Sequence, residues 1–204
     1  MRGKIWRIIA PMFLVLAIVA YGQTAKRPTV GKPWSKKPDK EQPQMRGLLA
    51  EAVPTPQACV CSAAPLDVEE REFLRLINEY RVSKGAGALQ VSVTLTNAAR
   101  WMSQSMATLN YFSHTDSLGR DPFVRMGVFG YNFPTYRGEN IAAGNAVAAN
   151  TFTQWRLSAG HNANMLNPSF KAIGIGRALN PTSAYRAYWT TDFGGVVDQV
   201  LAVQ

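Results

Sequence analysis

The stretch Ala172-Ile173-Gly174-Ile175-Gly176 alternates in polarity and size with a period of two. After Asn180-Pro181-Thr182-Ser183, the stretch Tyr185-Arg186-Ala187-Tyr188-Trp189-Thr190-Thr191-Asp192-Phe193 does the same, with Ala187, Trp189, Thr191 and Phe193 in phase. Side chains of a strand point to opposite faces in turn, so the pattern predicts two strands joined at the Asn-Pro turn, a β-hairpin. Working back towards the N-terminus, the period becomes helical. Asp67 is a good N-cap, and Glu69, Glu70 and Glu72 follow where a helix dipole favours acids. Phe73, Leu76, Ile77 and Tyr80 then fall on one face, until Gly85-Ala86-Gly87 ends the helix. A second helix is predicted from Ser92 or Thr94 to Leu109, with Leu95, Ala98, Met102 and Met106 on its apolar face. Helices first and strands last predict an α+β domain in which helices cover an antiparallel sheet.

Between these parts, residues 110–144 carry five glycines and two prolines. The spacing predicts a loop-rich segment with one short helix over 121–126. A loop this long in a small domain usually has a functional task. A further helix fits 146–157, with Val147, Thr151, Phe152 and Trp155 on one face, and another short one starts near Gly160. Trp155 and Trp189 are expected in the core.

Three divisions of the chain are expected. Residues 1–22 hold three positive charges ahead of 13 uncharged, mostly apolar residues, the n- and h-regions of an export signal. Ala20-Tyr21-Gly22 offers small residues for cleavage before Gln23, and an uncleaved N-terminal anchor is the alternative. Residues 23–65 form a basic, Pro-rich linker, read as a semi-extended tether. Residues 66–204 form the folded domain. The protein is therefore expected outside the cytoplasm or in the cell envelope, with membrane contact only through the N-terminal segment.

The formal charge of +9 is concentrated in the arm. Residues 1–46 carry +8, and the remainder only +1. No basic patch with interleaved aromatics predicts a nucleic-acid partner. Cys59 and Cys61 precede the domain and are not a zinc pair at that spacing.

Only two histidines occur, His114 in Phe-Ser-His-Thr-Asp and His161 in Ser-Ala-Gly-His-Asn. Both lie in small, polar contexts rather than on apolar faces. Glu139, in Gly138-Glu139-Asn140-Ile141, is the natural third member. Two imidazoles and a carboxylate could hold Zn²⁺ or another divalent cation, and they could equally form a hydrogen-bonded cluster without metal. Asp116 is an expected outer partner of His114, or else an Asx-turn acceptor. Gly160 is expected to permit a close backbone approach, and Asn140 to brace its loop.

Taken in order, Phe112-Ser113-His114, Gly138-Glu139-Asn140-Ile141-Ala142, Trp155-x-x-Ser158-x-Gly160-His161, Asn164 to Phe170, Ile173 to Gly176 and Tyr188 to Gly194 resemble the signature blocks of the CAP superfamily. That group comprises the cysteine-rich secretory, antigen 5 and pathogenesis-related 1 proteins, and the likeness is closest to its bacterial, SCP-like extracellular branch. The resemblance implies an α–β–α sandwich, a central antiparallel sheet covered by helices on both faces. It also implies a cleft at His114, Glu139 and His161, with Ser158 where plant and animal members carry a second Glu. Losing that carboxylate weakens any scheme needing paired acids. The resemblance points to a binding module for a small apolar ligand, a peptide or a cell-surface component. The alternative is a metal-assisted hydrolase of peptide or envelope material.

Overall fold

The computed structural model describes residues 64–200. The expected signal segment, nearly all of the expected linker and both cysteines lie outside these residues. The elements run α1 (Val68–Ser83), β1 (Gln90–Val91), α2 (Val93–Leu109), α3 (Pro122–Val128), β2 (Arg137–Ala143), α4 (Ala148–Leu157), α5 (Ala159–Leu166), β3 (Ala172–Leu179) and β4 (Ala187–Gly194).

The helix starts follow local chemistry. Asp67 and Glu70 form a reciprocal capping box on α1. Ser92 accepts from the Leu95 N–H at the start of α2, and Asp121 caps α3 ahead of Pro122. Helix α2 stops at Asn110, which takes a left-handed conformation at φ 55°.

The sheet has the order β1-β3-β4-β2. The hairpin strands β3 and β4 pair antiparallel, and β2 adds antiparallel to β4 as an edge. The two-residue β1 pairs parallel with β3, so the sheet is antiparallel except at that border. Strand β2 lies in the segment expected to be loop. Its Gly138 and its polar Glu139-Asn140 hide the alternation that marked the hairpin.

Helices cover both faces, as the resemblance implied. On one side Phe73, Ile77, Trp155, Ile173, Ile175, Trp189 and Phe193 form the main core between the sheet and α1 and α4. On the other, α2 lies along β3 and β4, with Met102, Met106, Ile141 and Tyr188 in one cluster and Leu95, Ala98, Met126 and Ala172 in another. Burying each large apolar side chain contributes about 1.5–3 kcal/mol.

Glycine sets the spacing on the α2 side. A Cβ on Gly174 would fall on the Leu95 carbonyl and the Thr96 amide. One on Gly176 would fall on the Ala99 carbonyl and the Arg100 amide. The helix backbone therefore rests directly on the sheet. On the α1 side, Arg81 is fully buried. It donates to the carbonyls of Gly87 at 2.7 Å, Met165 at 2.6 Å, Asn167 at 3.1 Å and Phe170 at 3.2 Å.

Candidate functional site

Successive side chains of a strand point to opposite faces, so neighbouring residues of the edge strand β2 reach into different layers. Glu139 turns to the α2–α3 side, where it meets His114 and Arg125. Asn140, one residue on, turns to the α5 side, where it meets His161 and Asn164. The two histidines, 47 positions apart in sequence, thus converge on the sheet edge from opposite faces.

On the first side, Glu139 is buried and both its oxygens are engaged. Oε1 lies 2.7 Å from His114 Nδ1, and Oε2 accepts from the Arg125 guanidinium. Arg125 is fully buried, also donates to the His114 carbonyl at 3.2 Å, and stands 3.8 Å from Asp116. It supplies the countercharge that a buried carboxylate requires. His114 itself is half exposed, its side chain 55% accessible, so one ring edge faces solvent.

Asp192 is the cross-strand neighbour of Glu139 and is completely buried. Neither of its oxygens reaches a partner at full hydrogen-bond geometry. Burial first, and then the adjacent Glu139, push its pKa well above the carboxyl range, with Arg125 opposing. The shift favours the protonated, neutral form of Asp192. A raised folded pKa means that folding takes up a proton. That stability is fully present below the unfolded pKa of about 4 and is lost as pH rises through the folded value. Asp192→Asn, which stays neutral, is expected to raise Tm at neutral pH. The gain should vanish as pH falls to about 4. Melts over this range check it; a gain that grows towards acid would contradict the assignment.

On the second side, His161 Nδ1 lies 2.8 Å from Ser158 Oγ across the first turn of α5. Its ring stacks on Trp155 at 5.7 Å and 17°. Burial, followed by His114, lowers the pKa of His161, while the Ile141 backbone works the other way. Asn140 Nδ2 donates to the His161 carbonyl at 3.1 Å, and Asn164 Nδ2 bonds Asn140 Oδ1 at 2.9 Å. With Glu139 and Gly160, these residues line a hollow of about 260 Å³ shared with His114.

A family model described as the cysteine-rich secretory protein family, CAP, matches residues 74–193. The chain belongs to the CAP family. It is 31% identical over 175 residues to the uncharacterized protein YkwD of Bacillus subtilis (strain 168), covering 85% of this chain and 66% of that one. In structure, this CAP domain is similar to an extracellular protein containing an SCP domain from Bacillus anthracis str. Ames. The identity there is 25% and the TM-score 0.55, over 65% of this chain and 45% of that one. It is also similar to an outer surface protein of Borrelia burgdorferi, at 20% identity and TM-score 0.56, over 65% of this chain and 98% of that one. The chain thus spans just under two thirds of YkwD and less than half of the B. anthracis chain. These relatives place it in the bacterial branch of the CAP superfamily.

Within this CAP domain, His114, Glu139, Ser158 and His161 line one cleft, and Asn140 braces it through the His161 carbonyl. Asp116 takes the second of its two expected roles, and two other expectations change. Asp116 is no partner of the His114 ring: it accepts from the Leu118 and Arg120 amides and from Arg120 Nε, the Asx-turn arrangement. Gly160 is not needed for close packing, since an added Cβ would meet nothing within 4 Å. His114, Glu139 and His161 do not form a three-ligand metal set. Glu139 has both oxygens bonded, each imidazole has Nδ1 bonded, and among the described residues no three His, Cys, Asp or Glu are placed to share an ion.

Arg125, Asp192 and Asn164 were not foreseen. Asp192 had a signal, being the one acid in a strand otherwise suited to full burial. Arg125 had a fainter one, a lone cation on a short helix between apolar residues.

Proposed function

We propose that the protein is exported and that its CAP domain is a noncatalytic module whose cleft binds a small ligand, peptide or envelope component. The observation that carries this is the state of the cleft's polar groups. Glu139 is held by His114 and Arg125, and His161 by Ser158. Groups so engaged are fixed in place and offer shape and hydrogen bonds to a guest, which suits recognition. A metal-assisted hydrolase would need Glu139 free to hold an ion or to activate water. Export is supported by the basic and then apolar N-terminus and by the extracellular and outer-surface relatives. Among the described residues no helix is long and apolar enough to cross a membrane.

The test follows the histidine ring resonances of the full chain by NMR while adding fatty-acid micelles, solubilised cell-wall fragments and capped peptides in turn. At least one pool is expected to shift both rings, to be recovered chemically intact, and to lose its effect on the His114→Ala, His161→Ala double variant. Zn²⁺ calorimetry run in parallel is expected to show no heat that depends on Glu139. Indifference of both rings to every pool would sink the binding reading. So would cleavage of a pool by wild type but not by Glu139→Gln.

A further inference from the structure

The pairing of β2 with β4 determines which main-chain groups of β2 face outward. The Gly144 N–H donates to the Ala187 carbonyl at 2.9 Å, and the Gly195 N–H to the Tyr136 carbonyl at 3.0 Å. In an antiparallel ladder, bonded and non-bonded residues alternate. Residues 138, 140 and 142 therefore bond β4, while Glu139, Ile141 and Ala143 turn both N–H and C=O to the free edge. One further contact obeys this parity. Asn164 Nδ2 donates to the Glu139 carbonyl at 3.2 Å. A side chain of α5 thus caps part of the exposed edge, one of the ways proteins protect such edges.

The last outward residue is Ala143, half-buried on the floor of a second hollow of about 420 Å³ beside the first. Ile141 and Ala143 form this floor, with His161 and Gln154 along one wall and Phe112 and Tyr185 along the other. The two aromatic rings sit 6.0 Å apart and are 45% and 49% exposed. No Asp, Glu, Lys or Arg lines the hollow, and of its two histidines His114 is paired with Glu139 and His161 is bonded to Ser158, so the lining offers a charged guest no uncompensated charge. A purely apolar guest fits no better. It would cover the Ala143 N–H and C=O without bonding them, at a cost of about 1–3 kcal/mol for each group. An extended main chain satisfies both, because it carries a donor and an acceptor at strand spacing.

We propose that the hollow receives an uncharged, extended peptide segment that adds to β2 as a further strand. It exchanges two hydrogen bonds with Ala143 and lays an apolar side chain against Phe112 and Tyr185. This deepens the binding reading above and rests on it.

The probe is a pool of capped pentapeptides randomised at every position, added at millimolar concentration to the ¹⁵N-labelled full chain. Main-chain recognition tolerates varied side chains, so the pool is expected to move the Ala143 amide signal downfield and to slow its hydrogen exchange. Ala143→Pro deletes an outward N–H without touching the bonds to β4, and is expected to weaken binding about tenfold, as for one hydrogen bond. The same pool methylated on its main-chain nitrogens should not bind the unaltered protein, a control that does not depend on how the proline variant folds. Equal binding of the methylated pool overturns strand addition. So do ring shifts at His114 and His161 with the Ala143 amide unmoved. If lipid or cell-wall fragments move the rings in that case, the binding reading stands; if no pool moves them, both fall.

Discussion

Gly174→Ala is expected to abolish the folded domain or to cost it at least about 3 kcal/mol, beyond ordinary overpacking. The added methyl would meet the main chain of α2 at Leu95 and Thr96, not the movable end of a side chain. Helix α2 would have to lift off β3, and its contacts along β4 would open with it. Leu95, Ala98, Met102 and Met106, all fully buried, would be exposed in turn. Gly160→Ala is the matched control. It places the same methyl in open space within α5, where alanine favours helix by up to about 1 kcal/mol. Circular-dichroism melts of the two variants check the contrast. A Gly174→Ala protein melting with wild type would show that the helix–sheet spacing has slack.

The second large effect is expected at Arg81. Arg81→Met keeps much of the stem's volume but removes the donors to four carbonyls, on Gly87, Met165, Asn167 and Phe170. Buried carbonyls left unpaired each cost about 1–3 kcal/mol, partly relieved where water enters, so a loss of about 3–5 kcal/mol is expected. Arg81→Lys should recover little, because a single ammonium cannot span acceptors spread over a fork. Chemical denaturation measures both. Full recovery by lysine would mean that the charge matters and the geometry does not.

What was legible in the sequence follows from where the physics is local. Asp67, Ser92 and Asp121 marked helix starts because a cap needs only the next three residues. The β3–β4 hairpin was legible because both strands keep a clean period. Strand β2 was not, because Gly138-Glu139-Asn140 places a glycine and two polar residues at buried positions. Their partners, Phe170, Arg125 and Asn164, lie far along the chain. The two residues of β1 are too few to show any period. Arg81 and Glu70 lie off the apolar face of Phe73, Leu76, Ile77 and Tyr80, yet both are buried by distant partners.

At the cleft, His114, Glu139, Ser158 and His161 were indicated by their sequence blocks. Their arrangement was not. The resemblance could not reveal that Glu139 and Asn140 serve opposite layers, or that Glu139 is paired with the buried Arg125.

That arrangement has a consequence for how the protein can be studied. A guest touching both imidazoles would clasp the two helical layers across the sheet border. Partly unfolded forms that have shed either layer would have no place for it. Occupancy and native structure would then be linked by mass action. A guest at a hundred times its dissociation constant would add about 2.7 kcal/mol to the unfolding free energy. Thermal-shift screening of unlabelled compound libraries can therefore report occupants of this cleft without any assay of activity.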